Sequence, residues 1–98
     1  MNTTDADHEL LTILIEECSE LIQACSKIKR FGWDTNSAAS IGLTNREHLE
    51  TEIGDLCEVI NRLGSNNRLC SGAIERAIAA KHEKLKVFTE YQVDSIAN

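Results

Sequence analysis

The chain has 98 residues, a formal charge of −6 and a pI near 4.9, with 27% charged and 4% aromatic residues. That length makes one small domain, 1–98, and its acidity argues against a partner held through a nucleic-acid backbone, which needs clustered Lys and Arg. No apolar run approaches bilayer length, the first residues lack a signal-peptide profile, and Cys18, Cys25, Cys57 and Cys70 form neither a C-x-x-C pair nor a zinc-ligand pattern. The expectation is a cytoplasmic protein that engages no membrane and no nucleic-acid polymer.

The first predicted helix runs from about Asp7 to Phe31. Its apolar stripe is Leu10, Leu14, Leu21, Ala24 and Ile28, widened by Leu11, Ile15, Cys18, Ile22 and Cys25. Asp5 or Asp7 suits its N-cap, and Gly32 suits a left-handed stop. A long connection containing Trp33 follows, from Gly32 to Leu43. The second helix begins at Thr44-Asn45-Arg46-Glu47, a Thr-x-x-Glu capping box, and carries Leu49, Ile53, Leu56, Ile60 and Leu63 before Gly64. After a short polar link comes the third, from about Ser71 to Tyr91, with Ile74, Ile78, Leu85 and Phe88 on one face and a fraying tail beyond. Cys18, Cys25 and Cys57 read as packing residues, and His8, His48 and His82 as surface residues. There is no proline and little strand-like alternation. The fold expected is all-α, a helical bundle of three main helices per chain, completed by homo-oligomerisation.

Two acidic clusters interrupt these stripes: Glu16-Glu17-Cys18-Ser19-Glu20 and Glu52-Ile53-Gly54-Asp55. Residues three and four apart share a helix face, and like charges so placed cost roughly 0.2–0.5 kcal/mol per pair. Glu17 falls in the apolar slot between Leu14 and Leu21, and Lys81 does the same between Ile78 and Leu85. A charge pushed toward a core is costly unless it is paired or metal-bound. With the first two helices antiparallel, Glu17 and Glu20 can face Glu52 and Asp55. Four carboxylates give oxygen-only ligands, the preference of Mg²⁺ or Mn²⁺, and Mg²⁺ commonly completes its shell with substrate phosphates. Glu16 is then placed to orient or deprotonate a water. Lys81, Lys84 and Arg30 are candidates for neutralising phosphate oxygens, with Trp33 and Asn61 as candidate contacts to base or sugar.

Glu-Glu-x-x-Glu followed by Glu-x-x-Asp on successive helices resembles the MazG-like branch of the all-α nucleoside triphosphate pyrophosphohydrolases. The segments EECSELI (Glu16 to Ile22), EIGDL (Glu52 to Leu56) and Lys81-His82-Glu83-Lys84 carry the likeness, which covers about residues 8–90. It implies Mg²⁺-dependent hydrolysis of a nucleoside triphosphate between the α- and β-phosphates, giving a monophosphate and pyrophosphate, or two phosphates in turn. It also implies Glu17, Glu20, Glu52 and Asp55 as metal ligands, Glu16 beside the attacking water, and a homodimer or homotetramer. The 31 residues between Glu20 and Glu52 exceed the usual family spacing. The extra length falls in the Gly32–Leu43 loop, so no base-contacting residue is carried over into it.

Each of these residues also has a plainer reading. Acidic clusters commonly form a solvated face, and the Lys81 stem can lie along a core edge. Arg30 suits a helix C-terminus, and Phe31 and Trp33 suit local packing. A non-catalytic helical dimerisation module is the alternative from a different class, but it leaves Glu17 in an apolar slot unexplained. A ferritin-like di-iron bundle needs Glu-x-x-His on facing helices, and only Asp5-x-x-His8 comes near it. Within the same superfamily, a dUTP- or phosphoribosyl-ATP-directed enzyme is a further alternative.

Overall fold

The computed structural model describes residues 3–36 and 42–91. Part of the Gly32–Leu43 connection and the expected fraying tail lie outside the described residues. Three helices account for most of the described chain: α1 (Asp5–Phe31), α2 (Asn45–Ser65) and α3 (Ser71–Phe88). Among the described residues no strand forms, apart from an isolated antiparallel bridge between Asn36 and Thr44.

The caps explain where each helix starts and stops. Thr4, rather than Asp5 or Asp7, is the N-cap of α1. Its hydroxyl accepts from the Asp7 backbone N–H at 3.2 Å, and its own N–H donates to the Asp7 carboxylate at 2.8 Å. Asp7 sits at the third helical position, where a carboxylate can satisfy an orphan donor and meet the positive end of the helix dipole. Lys29 and Arg30 complement the other end. Gly32 stops α1 at φ +93°, while its N–H donates to the Ile28 carbonyl at 2.8 Å; a side chain there would strain the backbone. Thr44 and Glu47 form the expected capping box of α2. Asn67, at φ 59°, turns the chain toward α3.

α1 and α2 pack along one another as an antiparallel hairpin fastened at both ends. At the open end, Arg68 Nε meets Asp7 Oδ1 at 2.8 Å. Near the connection, Asn45 Nδ2 donates to the Gly32 carbonyl at 3.0 Å. The residues facing inward recur every seven positions. On α1 they are Asp7, Leu14, Leu21 and Ile28, interleaved with Leu10, Glu17 and Ala24; on α2 they are Asn45, Glu52 and Val59, interleaved with Leu49, Leu56 and Leu63. The inward face of α2 is therefore divided. Val59 and Leu63 bury an apolar half, while Asn45, His48 and Glu52 bury a polar one. His48, expected at the surface, is buried because it shares the Glu52 face one turn away.

α3 stands apart. It makes only marginal contact with the other helices, and none of its residues is buried. Its stripe is present but unpartnered in the single chain, with Ile78 64% and Phe88 79% exposed. Lys81 consequently lies in no apolar slot and is exposed, as is Lys84. The four cysteines are likewise exposed thiols, so Cys18, Cys25 and Cys57 do not pack in this chain as expected. The radius of gyration is 16.3 Å, whereas a compact domain of this length has one of about 13 Å. No helix among the described residues is long and apolar enough to cross a membrane.

Candidate metal centre

The polar half of the α1–α2 seam gathers three carboxylates. Glu17 and Glu20 lie one turn apart on α1, and Glu52 projects from α2. One ligand atom from each falls within a group whose members all lie within 4.8 Å of one another. The three differ in depth: Glu52 is buried, Glu17 is half-buried and Glu20 is exposed at the rim. The acids thus run from Glu52 in the seam to Glu20 at the solvent-exposed edge.

Glu52 reaches this depth because its heptad slot lies between Asn45 and Val59, both buried. Its Oε1 is 3.2 Å from Nε2 of His48, whose side chain is itself only 10% exposed. The other oxygen, Oε2, is buried with no hydrogen-bond partner, and so is Glu17 Oε2. Such orphaned oxygens are uncommon, and each costs the desolvation of a charged acceptor. Ionised carboxylates only accept hydrogen bonds, so three of them together cannot satisfy one another. Either a proton or a cation must enter the focus.

The electrostatics follow from the same crowding. The Glu52 carboxyl is pushed up from 4.5 to about 7, first by burial, then by the Glu20 carboxylate and then by Glu17. Each influence disfavours the ionised form. A divalent cation would reverse both the burial cost and the repulsion. The donor set is oxygen-only, which suits Mg²⁺ or Mn²⁺. Ligand oxygens around an octahedral ion at about 2.1 Å stand roughly 3–4.2 Å apart, so a spread within 4.8 Å needs little tightening. The residues fit the ion.

Other candidates from the sequence stand outside this focus. Asp55, one turn beyond Glu52, is exposed and does not join the three, and Glu16 is exposed beside Glu17. Asn61 is exposed nine residues past Glu52, about 13 Å along the helix axis. Arg30 lies ten residues beyond Glu20 and stacks over the Phe31 ring at 5.0 Å. Trp33 is half exposed, with the Arg46 guanidinium 4.9 Å from its ring centroid, while Arg46 also grips Asp34 at 3.1 Å. Lys81 and Lys84 ride on α3, which packs along neither ligand-bearing helix.

His48 is the site residue that the apolar stripe did not reveal. Its signal was positional: four residues before Glu52 and three after Asn45, on the same face of α2.

No protein-family model, curated protein or solved structure matches the chain.

Proposed function

We propose that the chain is a Mg²⁺-dependent nucleoside triphosphate pyrophosphohydrolase of the MazG-like kind, converting a (d)NTP to a (d)NMP with release of pyrophosphate or two phosphates. The observation that carries this reading is the convergence of Glu17, Glu20 and Glu52 with two buried, unpartnered oxygens among them. They are also the acids of the Glu-Glu-x-x-Glu and Glu-x-x-Asp segments that resemble that family.

A bound Mg²⁺ or Mn²⁺ supplies neutralisation of phosphate oxygens and a water of lowered pKa. Glu52 and Glu17 hold the ion from the seam, and Glu20 holds it from the solvent-exposed edge where a polyphosphate arrives. Glu16, next to Glu17 and exposed, is placed to orient or deprotonate the attacking water. Asp55, exposed one turn beyond Glu52, is the fourth acid of the family-like motif and joins the ligand set only when substrate is present.

The reading includes a homodimer or homotetramer. Among the described residues the single chain buries three apolar ones, Ala24, Val59 and Leu63, too few for a stable domain of this size. Docking the α3 stripe against a second copy supplies the missing burial and carries Lys81 and Lys84 toward a ligand-bearing hairpin. The alternative of a non-catalytic dimerisation module accounts for these exposed stripes equally well. It gives no reason for orphaned carboxylate oxygens in the seam.

A product-resolved assay over the eight common triphosphates, with and without Mg²⁺, tests the proposal. Metal-dependent monophosphate formation is expected for at least one nucleotide. Silence across the panel with metal present would leave the interaction module as the better account.

A further inference from the structure

Beside Asn45, which fastens the hairpin to the Gly32 carbonyl, the polar half of the seam holds a second side chain that the catalytic reading leaves unused. His48 is buried, sits on the same helix as Glu52, and directs Nε2 at Glu52 Oε1 from 3.2 Å. Glu52 has a long side chain with free rotation about its terminal bond. Its carboxylate serves a cation better when something holds the plane so that one oxygen faces Glu17 and Glu20. The oxygen not engaged by His48 is buried and has no hydrogen-bond partner. That division of labour, one oxygen fixed by a donor and the other left vacant, is the arrangement by which outer groups orient metal-binding carboxylates.

We infer that His48 is a positioning residue for the metal centre: its Nε2–H donates to Glu52 Oε1 and so aims Glu52 Oε2 at the cation. The inference rests on the metal-centre reading proposed above. An ionised carboxylate oxygen only accepts, so the imidazole must carry its proton on Nε2 when the cation is bound. An apolar residue at 48 would fill the space and leave the Glu52 carboxylate free to rotate. Gln carries an N–H at similar reach and would restore the donor.

The test is Mn²⁺ binding to the full chain without nucleotide, by calorimetry or electron paramagnetic resonance, in wild type, Glu52→Gln, His48→Leu and His48→Gln. Wild type is expected to bind and Glu52→Gln to lose binding. His48→Leu should be weakened about 10- to 100-fold, and His48→Gln should recover most of that loss. Wild type and Glu52→Gln binding alike would dispose of the metal centre itself, and the inference with it. A wild-type affinity in His48→Leu, with Glu52→Gln still defective, would overturn the role of His48 alone. A measurement on the unaltered protein decides the matter even where the Leu variant fails to fold. Histidine ¹H–¹⁵N correlation spectra of the Mg²⁺-loaded wild type should show His48 protonated on Nε2, and an unprotonated Nε2 would contradict the inference.

Discussion

Glu17 and Glu52 occupy matching positions on facing helices. Glu17 lies seven residues from both Leu10 and Ala24, Glu52 lies seven from both Asn45 and Val59, and each keeps one buried carboxylate oxygen without a partner. Two acids have thus been set into the seam of a helical hairpin, where a heptad would ordinarily place apolar side chains. In the proposed metal centre, the stability of the metal-free hairpin and its affinity for cations are therefore opposed.

Burial and the neighbouring Glu20 and Glu17 carboxylates push the folded Glu52 carboxyl up to about 7 from its ordinary 4.5, so between these values the folded chain binds more protons than the unfolded one. Linkage then makes the metal-free protein lose stability as pH rises from about 4.5 to 7. Glu52→Gln removes the ionisation, and its melting temperature should exceed that of wild type at pH 8, with the gap closing by pH 5. Each kcal/mol relieved is worth about 4–8 °C in a domain of this size. Thermal melts in the presence of chelator at the two pH values check this; a variant that melts lower than wild type at pH 8 would contradict it.

Cation affinity should show the opposite pH dependence. A proton on Glu52 competes with the metal, so Mn²⁺ binding without nucleotide should weaken as pH falls through about 7. Calorimetric titrations between pH 6 and 8 would reveal it, and an affinity flat across that window would exclude Glu52 as a ligand.

Asp55 and Glu17 are expected to separate in their effects. Glu17 belongs to the convergent three, whereas Asp55 is exposed and outside them. Glu17→Gln should lose both Mn²⁺ binding in the absence of nucleotide and turnover, each by about 100-fold or more, since even outer-shell partners cost 10- to 100-fold. Asp55→Asn should lose turnover while keeping most of its nucleotide-free Mn²⁺ affinity. Circular dichroism should show helical content unchanged in both. Equal loss of metal binding in the two variants would mean that the four acids act as one set before substrate arrives.

The exposed stripe on α3 gives an outcome in solution mass. Wild type should weigh two or four times the 10.9 kDa of the chain. Ile78→Glu sets a charge into the centre of the stripe, and burying it unpaired costs several kcal/mol, so the assembly should dissociate toward the monomer. Light scattering after size exclusion reads this directly; a wild-type monomer would remove the case for assembly.

Much of this hairpin is legible in its sequence. The capping box at Thr44, the stop at Gly32 and the apolar period of α1 are local signals, and each has a local cause. Glu17 stood out because it interrupts a stripe of leucines. Glu52 was harder, because its slot is framed by Asn45 and Val59 rather than by a run of large apolar residues, and spacing alone does not tell whether Glu52 or Asp55 faces inward. The packing register of α2 on α1 decides that, and it also buries His48, whose polarity suggested the surface. At α1, Thr4 and Asp7 share a reciprocal cap that neither residue announces singly. The α3 stripe has the right period, but none of its residues is buried in the single chain, because a period does not itself supply a facing surface.

The most direct measurement is a crystal structure of the protein with Mn²⁺ and a non-hydrolysable nucleoside triphosphate, with data collected for manganese anomalous scattering. An anomalous peak is expected at bonding distance from Glu17, Glu20 and Glu52, with triphosphate oxygens on the solvent side beside Glu20. A map with no peak among these three acids, or with their carboxylates turned away from one another in every subunit, would contradict the proposed metal centre.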